Sequence, residues 1–353
     1  MEFQLPIQIH PLPRPIAYED KILLVGSCFT EHIGGNLQDL KFNTLQNPNG
    51  ILFDPLSVAS GIVSYIQNKQ YLPEDLVYFN ELWQSWQHHS SYSHIDQAEG
   101  LKVINASQSR AHAFLKQAKW LIITLGSSFS YRLAEDAGPV FRPGGSGAAA
   151  AVYPVANCHR APASVFRKHL LTVEEINTAL DNCMHQLFRF NPEINILFTI
   201  SPVRHVRDGV IENNRSKARL IESVHHLVNK FDRLHYFPAY ELVIDVLRDY
   251  RFYDVDMVHP NYQGTSFVLE KFTKYCIEEA AQPLMEEVRK IVIARKHKAF
   301  QPATLAHKKF LHDHWQKAKA LQEKVPFLDL EEEIRYFSEG GQQGVADGGP
   351  AHA

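Results

Sequence analysis

The chain has 353 residues, of which 45% are hydrophobic and 21% are charged, enough for one large domain and a smaller additional segment. Its formal net charge is -3 and it contains no run of basic residues, so neither a nucleic acid nor an anionic membrane is an expected partner. The first residues lack the features of a signal peptide, no apolar stretch approaches the roughly 20 residues of a membrane span, and the cysteines include no CxxC pair. We therefore expect a cytoplasmic protein.

Short aliphatic runs alternate with helical patterns along this chain. Residues 21–25 predict a buried strand, and the apolar spacing over 28–40 predicts an amphipathic helix. Further strands are predicted at 120–125, 194–200 and around 235–237, and further helices at Asp54-Pro55, at the capping box Thr172-Val173-Glu174-Glu175, over 220–231 and over 239–250. Strands that alternate with helices indicate parallel pairing through right-handed crossovers, and hence a three-layer α/β domain.

The other segments flank or interrupt this pattern. The predicted organisation is an extended Pro-rich segment at 1–20, the α/β domain at 21–280, an aromatic and His-rich hairpin or loop inserted at about 71–100, a mobile Gly- and Ala-rich loop at 138–151, a helical C-terminal extension at 281–336, and a disordered tail at 337–353.

A serine follows the first predicted strand. Ser27 comes directly after Gly26, which permits a sharp turn, and a helix is predicted to begin there. Ligands of open parallel sheets bind beyond the carboxyl ends of the strands, so we expect the Ser27 hydroxyl to be exposed and its N–H to point into a site. These are the features of a nucleophile with oxyanion stabilisation. The alternative is that Ser27 only caps the helix.

A second motif, Asp256-Met257-Val258-His259-Pro260, supplies a carboxylate and an imidazole. Because Asp256 and His259 are three positions apart in a tight loop, Asp256 can reach one ring nitrogen while the other faces a nucleophile. The alternative is a helix cap at Asp256 and an ordinary loop histidine at His259. Together with Ser27, the motif favours a Ser-His-Asp triad.

These motifs resemble those of the GSCFA domain family. The likeness extends over roughly residues 20–275 and is carried by Gly26-Ser27-Cys28-Phe29, Asn47-Pro48-Asn49-Gly50-Ile51, Asn157-Cys158-His159, Ser201-Pro202-Val203-Arg204-His205, Leu247-Arg248-Asp249-Tyr250-Arg251-Phe252-Tyr253 and Asp256-Met257-Val258-His259-Pro260. The family is similar to the SGNH/GDSL hydrolase group, and this resemblance implies a flavodoxin-like three-layer α/β/α fold. It also implies a triad of Ser27, His259 and Asp256 and esterase-type chemistry on an ester or an acetylated glycan, without a cofactor.

The oxyanion hole departs from the pattern of that group. SGNH enzymes typically add a glycine N–H after the second strand and an asparagine amide after the third. Gly50 matches the glycine, but Ser128 stands where the asparagine is expected. Asn157 is an alternative donor, unless its side chain closes an Asx turn. The predicted oxyanion hole is therefore Ser27, Gly50 and Asn157, with Ser128 as the weaker candidate.

Three further residues are candidates for substrate binding. Arg204 and His205 follow the strand predicted at 194–200, and either can bind a substrate oxygen or an anion, although Arg204 can instead pair with Asp208, Asp249 or Asp254. His89 belongs to the aromatic insertion, which predicts either a lid that stacks on a sugar or an ordinary packed segment. No HExxH or CxxC motif accompanies its histidines, so no metal site is expected.

The sequence therefore predicts a serine esterase or deacetylase that acts on a small-molecule or glycan ester through an acyl-enzyme. An O-acyltransferase would use the same triad. A non-catalytic module that binds a glycan or a partner on a degenerate hydrolase fold is the third possibility. The oligomeric state does not follow from the sequence.

Overall fold

The computed structural model describes residues 4–144 and 154–340 of the chain. The strands of this part are β1 (Ile22–Gly26), β2 (Thr44–Gln46), β3 (Val77–Phe79), β4 (Leu82–Gln84), β5 (Trp120–Leu125), β6 (Phe129–Leu133), β7 (Phe166–Leu170), β8 (Asn195–Ile200) and β9 (Leu234–Phe237). The α-helices are α1 (Cys28–Asp39), α2 (Pro55–Ile66), α3 (Gln97–Leu115), α4 (Val173–Phe190), α5 (Gly209–Lys230), α6 (Ala239–Glu241), α7 (Tyr262–Cys276), α8 (Gln282–Lys296), α9 (Leu305–Lys324) and α10 (Glu331–Ser338), and a π-helical stretch, Leu242–Leu247, continues α6.

Five strands form one central parallel sheet in the order β2-β1-β5-β8-β9. With helices on both faces, this is the predicted three-layer α/β/α fold. The strand order is that of flavodoxin-like proteins, in which the chain proceeds outward in both directions from the first strand. The order reverses between β1 and β5, so the crevice at the carboxyl ends of these two strands is the general location for a ligand in such a sheet.

Alternating side chains of the strands fill two separate apolar layers. Ile22, Leu24 and Trp120 face the layer that holds α1, α7 and the C-terminal helices. Leu23 and Ile123 face the opposite layer, which holds α2, α4 and α5. Because β1, β5 and β8 are buried on both faces, they read in the sequence as nearly continuous apolar runs.

The N-terminal segment lies along the domain in an extended conformation. Ile16 forms an isolated parallel bridge with Ile277, and the Leu12 N–H donates to the Tyr275 carbonyl oxygen at 3.1 Å. Among the described residues, no helix combines the length and apolarity needed to cross a bilayer.

Two antiparallel hairpins stand outside the central sheet. The aromatic insertion at 71–100 contains the β3–β4 hairpin, and β6 pairs with β7 across the long connection 134–165. Of the predicted mobile loop 138–151, residues 145–151 lie outside the described residues, as does most of the predicted tail. The tail does not begin at 337, because Phe337 lies in α10 and its side chain is 3% exposed.

A buried ion pair joins the last helix to the loop after α1. The Glu333 carboxylate is fully buried and lies 2.8 Å from Lys41 Nζ and 3.4 Å from Arg295 Nε. Its neighbour Glu332 faces solvent, with its side chain 66% exposed, although it pairs with the same arginine. Breaking a buried pair leaves uncompensated charge in the protein, whereas an exposed pair contributes little.

We expect Glu333→Gln to lower the free energy of unfolding by about 2–3 kcal/mol, less than the full cost of a buried pair because Lys41 and Arg295 keep some contact with water. The matched control Glu332→Gln should change it by less than about 0.5 kcal/mol. Urea unfolding followed by circular dichroism measures both. Equal effects of the two substitutions would contradict this account of the Glu333 contact.

Candidate active site

Ser27 occupies the junction between β1 and α1. Gly26, before it, has a φ of 152°, and a Cβ at that position would lie 2.3 Å from the Thr124 carbonyl oxygen, so only glycine fits. Ser27 precedes the first residue of α1, but its side chain makes no capping hydrogen bond. The capping alternative requires the Ser27 hydroxyl to bond to the first turn of α1, and it does not.

The Ser27 hydroxyl is buried, in contrast to the expectation that it would be exposed. The residue is 3% exposed, and Oγ has no hydrogen-bond partner among the described residues. A Cβ placed on Gly126 would lie 3.2 Å from the Ser27 Cβ and 3.0 Å from the Phe53 Cβ. Ser27 and Phe53 thus fill the same space in front of Gly126.

Asp256 and His259 form a closely bonded pair in the loop directly before α7. Asp256 Oδ2 lies 2.6 Å from His259 Nδ1, and Oδ1 accepts the backbone N–H groups of Val258 at 2.9 Å and His259 at 3.0 Å. The His259 ring and these N–H groups lower the pKa of Asp256 to about 2. An ionised Asp256 holds the proton of His259 on Nδ1 and leaves the lone pair of Nε2 free.

The loop that carries this pair is docked on the segment after β8. Arg204 Nη1 donates to the Met257 carbonyl oxygen at 3.0 Å, and the guanidinium carbon of Arg204 lies 4.3 Å from the centre of the Tyr253 ring. Met257 has a φ of 59°, an uncommon conformation for a non-glycine residue, which gives the loop its tight turn. Arg204 thus contacts the loop itself, and none of the predicted partners Asp208, Asp249 and Asp254 pairs with it.

The pair lies near residues at the same sheet edge as Ser27. Burial lowers the pKa of His32, on α1, and the nearby charge of His259 lowers it further. Burial also lowers the pKa of His205 to about 4, with contributions from the charges of Lys217, Lys168 and, again, His259. His259 is thus close to α1 and to the segment after β8, although no hydrogen bond joins it to the buried Ser27 hydroxyl.

Two of the predicted oxyanion donors are already used in the backbone. The Ser27 N–H donates to the Thr124 carbonyl oxygen at 3.0 Å, as part of the pairing between β1 and β5. The Gly50 N–H closes a turn on the Asn47 carbonyl oxygen at 2.7 Å. Each N–H has one proton, so neither is available to a ligand in this conformation; the Ser27 N–H, expected to point into the site, instead extends the strand pairing.

The two side-chain candidates both take part in local hydrogen bonds, although the bond at Asn157 uses its Oδ1 and not its Nδ2 donor. Asn157 Oδ1 accepts the N–H of His159 at 2.8 Å, which is the Asx turn named as its alternative. Ser128 is fully buried, and its hydroxyl lies 3.1 Å from both the carbonyl oxygen and Oγ of Ser216 on α5. Ser128 therefore serves the packing of α5 against the sheet rather than an oxyanion hole.

The predicted substrate-binding histidines lie in different surroundings. His205 packs against Phe53, with ring centres 5.5 Å apart, and its backbone N–H donates to Asn213 Oδ1 at 2.9 Å. His89 lies against Gly50, and its Nδ1 accepts the N–H of Ser91 at 3.3 Å. His205 is therefore in contact with Phe53, which also borders the Ser27 position.

The aromatic insertion is packed rather than open. Trp86 is 5% exposed, and its Nε1 donates to the Phe141 carbonyl oxygen at 2.9 Å. His88 is fully buried with its Nδ1 2.9 Å from Ser85 Oγ, and burial lowers its pKa to about 3. In the described part of the chain, no group of three or more His, Cys, Asp or Glu side chains is arranged to hold a metal ion.

Sequence reasoning missed two residues at this edge. Asn47 Oδ1 accepts the Gly26 N–H at 3.0 Å, while Asn47 Nδ2 is buried and has no partner among the described residues. Lys217, on α5, is 1% exposed and donates to the carbonyl oxygens of Gly126 and Ser201. The signal for Lys217 was its place on the apolar stripe of α5, one turn before Leu220.

The chain belongs to the GSCFA family, whose model matches residues 21–272. A second model, described as the GSCFA domain protein C-terminal domain, matches residues 288–341. No curated protein matches the chain. The first match contains Ser27, Asp256 and His259, and the second contains α9 and α10.

We expect Arg204→Met to loosen the Asp256–His259 loop, because it removes a charged hydrogen bond and the contact with Tyr253. A hydrogen bond to a charged group contributes about 1.5–3 kcal/mol, so the Val258 and His259 amides should exchange roughly 10- to 100-fold faster. Hydrogen exchange read by mass spectrometry measures this. Arg251→Met, which removes only the exposed pair with Asp249, is the control, and equal exchange in both variants would contradict the role of Arg204.

Proposed function

We propose that this member of the GSCFA family is a serine hydrolase of SGNH type that cleaves an ester or an O-acetyl group through an acyl-enzyme on Ser27. The observation that carries the proposal is the contact of 2.6 Å between Asp256 Oδ2 and His259 Nδ1. The other oxygen of the Asp256 carboxylate, Oδ1, is held by two backbone N–H groups. This is the arrangement of an imidazole prepared to accept a proton at its second nitrogen.

In the first step, Ser27 Oγ forms a bond to the carbonyl carbon of the ester, and the electron pair of the carbonyl bond moves onto its oxygen. The Ser27 proton passes to His259 Nε2, and Asp256 stabilises the imidazolium that results. The tetrahedral intermediate then collapses. Its carbon–oxygen bond to the alcohol breaks, and the alcohol leaves with the proton from His259.

In the second step, water is the nucleophile in place of the Ser27 hydroxyl. His259 Nε2 takes a proton from the water as its oxygen attacks the acyl carbon, and the same proton returns to Ser27 Oγ when the acyl–serine bond breaks. The products are the free acid, the alcohol and the unmodified enzyme. An alcohol acceptor in place of water would give acyl transfer with the same residues.

Substrate access requires a change at the position of Ser27. Its hydroxyl is buried in the present conformation, and Phe53 shares the space in front of Gly126. Phe53 is only partly buried and packs on His205, so a shift of this pair would open the edge without disturbing the sheet. The proposal therefore includes a movement of Phe53 and His205 before the acyl group can bind.

A second candidate function is a non-catalytic binding module. The observation that favours it is the state of the expected donors: the N–H groups of Ser27 and Gly50 are engaged, and the serine hydroxyl is covered. An activated serine separates the two candidates, because only the hydrolase reacts covalently with an electrophile that mimics an ester.

We expect a fluorophosphonate to label the wild-type protein on Ser27, because attack by Oγ expels fluoride and leaves a stable phosphonyl ester. Ser27→Ala should abolish both the adduct and the turnover of an aryl acetate while the protein stays folded. Ser90→Ala, in an exposed part of the insertion, is the matched control and should label like the wild type. Intact-protein and peptide mass spectrometry locate the adduct; a folded wild type that never reacts would support the binding module.

Asp256→Asn should lower kcat about 10³- to 10⁴-fold with a small change in KM, because the amide cannot hold the His259 proton on Nδ1. The folded pKa of Asp256 lies below the ordinary value of 3.8, so its ionised form stabilises the fold above that pH, and this contribution is lost as the pH falls toward about 2. The wild-type rate should therefore show no ionisation of Asp256 above about pH 4. Asp254→Asn is the control for a charge change in the same loop. A kcat that is equal in both variants would remove Asp256 from the mechanism.

A further inference from the structure

A buried lysine lies behind the candidate active site. Lys217 Nζ donates to the carbonyl oxygens of Gly126 and Ser201, each at 2.6 Å. Gly126 follows the end of β5 and Ser201 follows the end of β8, so the ammonium group sits between the carboxyl ends of two central strands. In the described part of the chain, no carboxylate forms an ion pair with it.

A buried ammonium group without an ion-pair partner is energetically unfavourable. Removing an ammonium group from water without an opposite charge costs several kcal/mol, and burial accordingly lowers the pKa of Lys217 to about 7. Two carbonyl dipoles provide partial compensation. An ammonium has three protons, and the third has no acceptor among the described residues.

The charge is close to the start of α1. Lys217 binds the carbonyl group of Gly126, and Gly126 is the residue whose open face is bordered by Ser27 and Phe53. The charge of Lys217 acts on the Cys28 thiol, whose pKa is raised by burial and by Glu31 and is lowered in part by Lys217. It also contributes to the lowered pKa of His205. Lys217 therefore acts electrostatically on Cys28, the neighbour of Ser27 in the chain, and on His205, which packs against Phe53.

We propose that Lys217 provides the positive charge that stabilises the oxyanion formed when Ser27 attacks its substrate. This inference rests on the proposed serine hydrolase and adds a residue to it. The Ser27 and Gly50 N–H groups, the two backbone donors predicted for this role, are used elsewhere in this conformation. Lys217 acts through the low-dielectric interior behind Gly126, as a positioned charge and not as a group that touches the substrate.

This role predicts a specific kinetic effect. A charge that interacts with the oxyanion stabilises the transition state more than the neutral substrate, so its loss lowers kcat and leaves KM nearly unchanged. A lysine that only ties the ends of β5 and β8 together would, when removed, disturb substrate binding and transition state alike. Arylboronic acids separate the two cases, because their adduct with a serine carries a negative charge on a tetrahedral boron.

The test compares Lys217→Met with Lys168→Met on a neutral aryl acetate and on an arylboronic acid. Lys168 also acts electrostatically on His205, but it is partly exposed and pairs with Asp208. We expect Lys217→Met to lower kcat and weaken boronate binding, each by about 10- to 100-fold, with KM within about threefold of wild type. Lys168→Met should change all three values by less than about threefold.

Unchanged kcat and boronate affinity in Lys217→Met would overturn the proposal. A fall in kcat accompanied by an equally large rise in KM would also overturn it. If the methionine variant does not fold, Lys217→Gln keeps a donor for one carbonyl without the charge, and the same expectations apply. The wild type gives an independent measure: equal affinity for the boronic acid and for the uncharged amide of the same aryl group would also overturn it. Failure of the serine hydrolase itself is distinguishable, because the wild type would then form no fluorophosphonate adduct.

Discussion

The close approach of β1 and β5 at Gly26 determines the geometry of the whole candidate site. At this point the two backbones leave no room for a Cβ, and the Ser27 N–H donates to the Thr124 carbonyl oxygen. The strand pairing therefore continues one residue past the end of β1 and fixes Ser27 against Gly126. It places a serine at the switch point of the sheet, but it also uses the N–H that such a serine would otherwise offer to an oxyanion.

The central architecture could be predicted because buried parallel strands have a direct signature in sequence. β1, β5 and β8 are mainly apolar runs, and helical periodicity follows β1 directly and β8 after a short segment. β2 was not predicted because Thr44–Gln46 has only three residues and two of them are polar. The β6–β7 hairpin was missed for another reason: residues 134–165 separate its strands, so no short turn signals the pairing.

The candidate site was predictable only in part. Contacts between residues close in sequence could be predicted, and contacts between distant residues could not. Asp256 and His259 are three positions apart, and their contact follows from a tight loop whatever the rest of the chain does. The destinations of the Ser27 and Gly50 N–H groups depend on the register of β1 with β5 and on the turn after β2, which a single sequence does not give. Lys217 was missed because one lysine on an apolar stripe reads as an irregularity until α5 is placed across the strand ends.

The C-terminal helices belong to the same apolar layer as the helix that begins at Ser27. Leu311 of α9 and Phe337 of α10 are buried in the cluster that contains Phe29 and Ile33 of α1. Ion pairs connect the C-terminal helices to the far end of α1. Lys296 Nζ of α8 lies 2.6 Å from Asp39 Oδ2, and Glu333 of α10 pairs with Lys41. One end of α1 is thus fixed by the sheet at Gly26 and the other by α8 and α10. Because a packed helix moves as a rigid unit, the region matched by the C-terminal family model contributes to holding Ser27 in place, even though it carries none of the proposed catalytic residues.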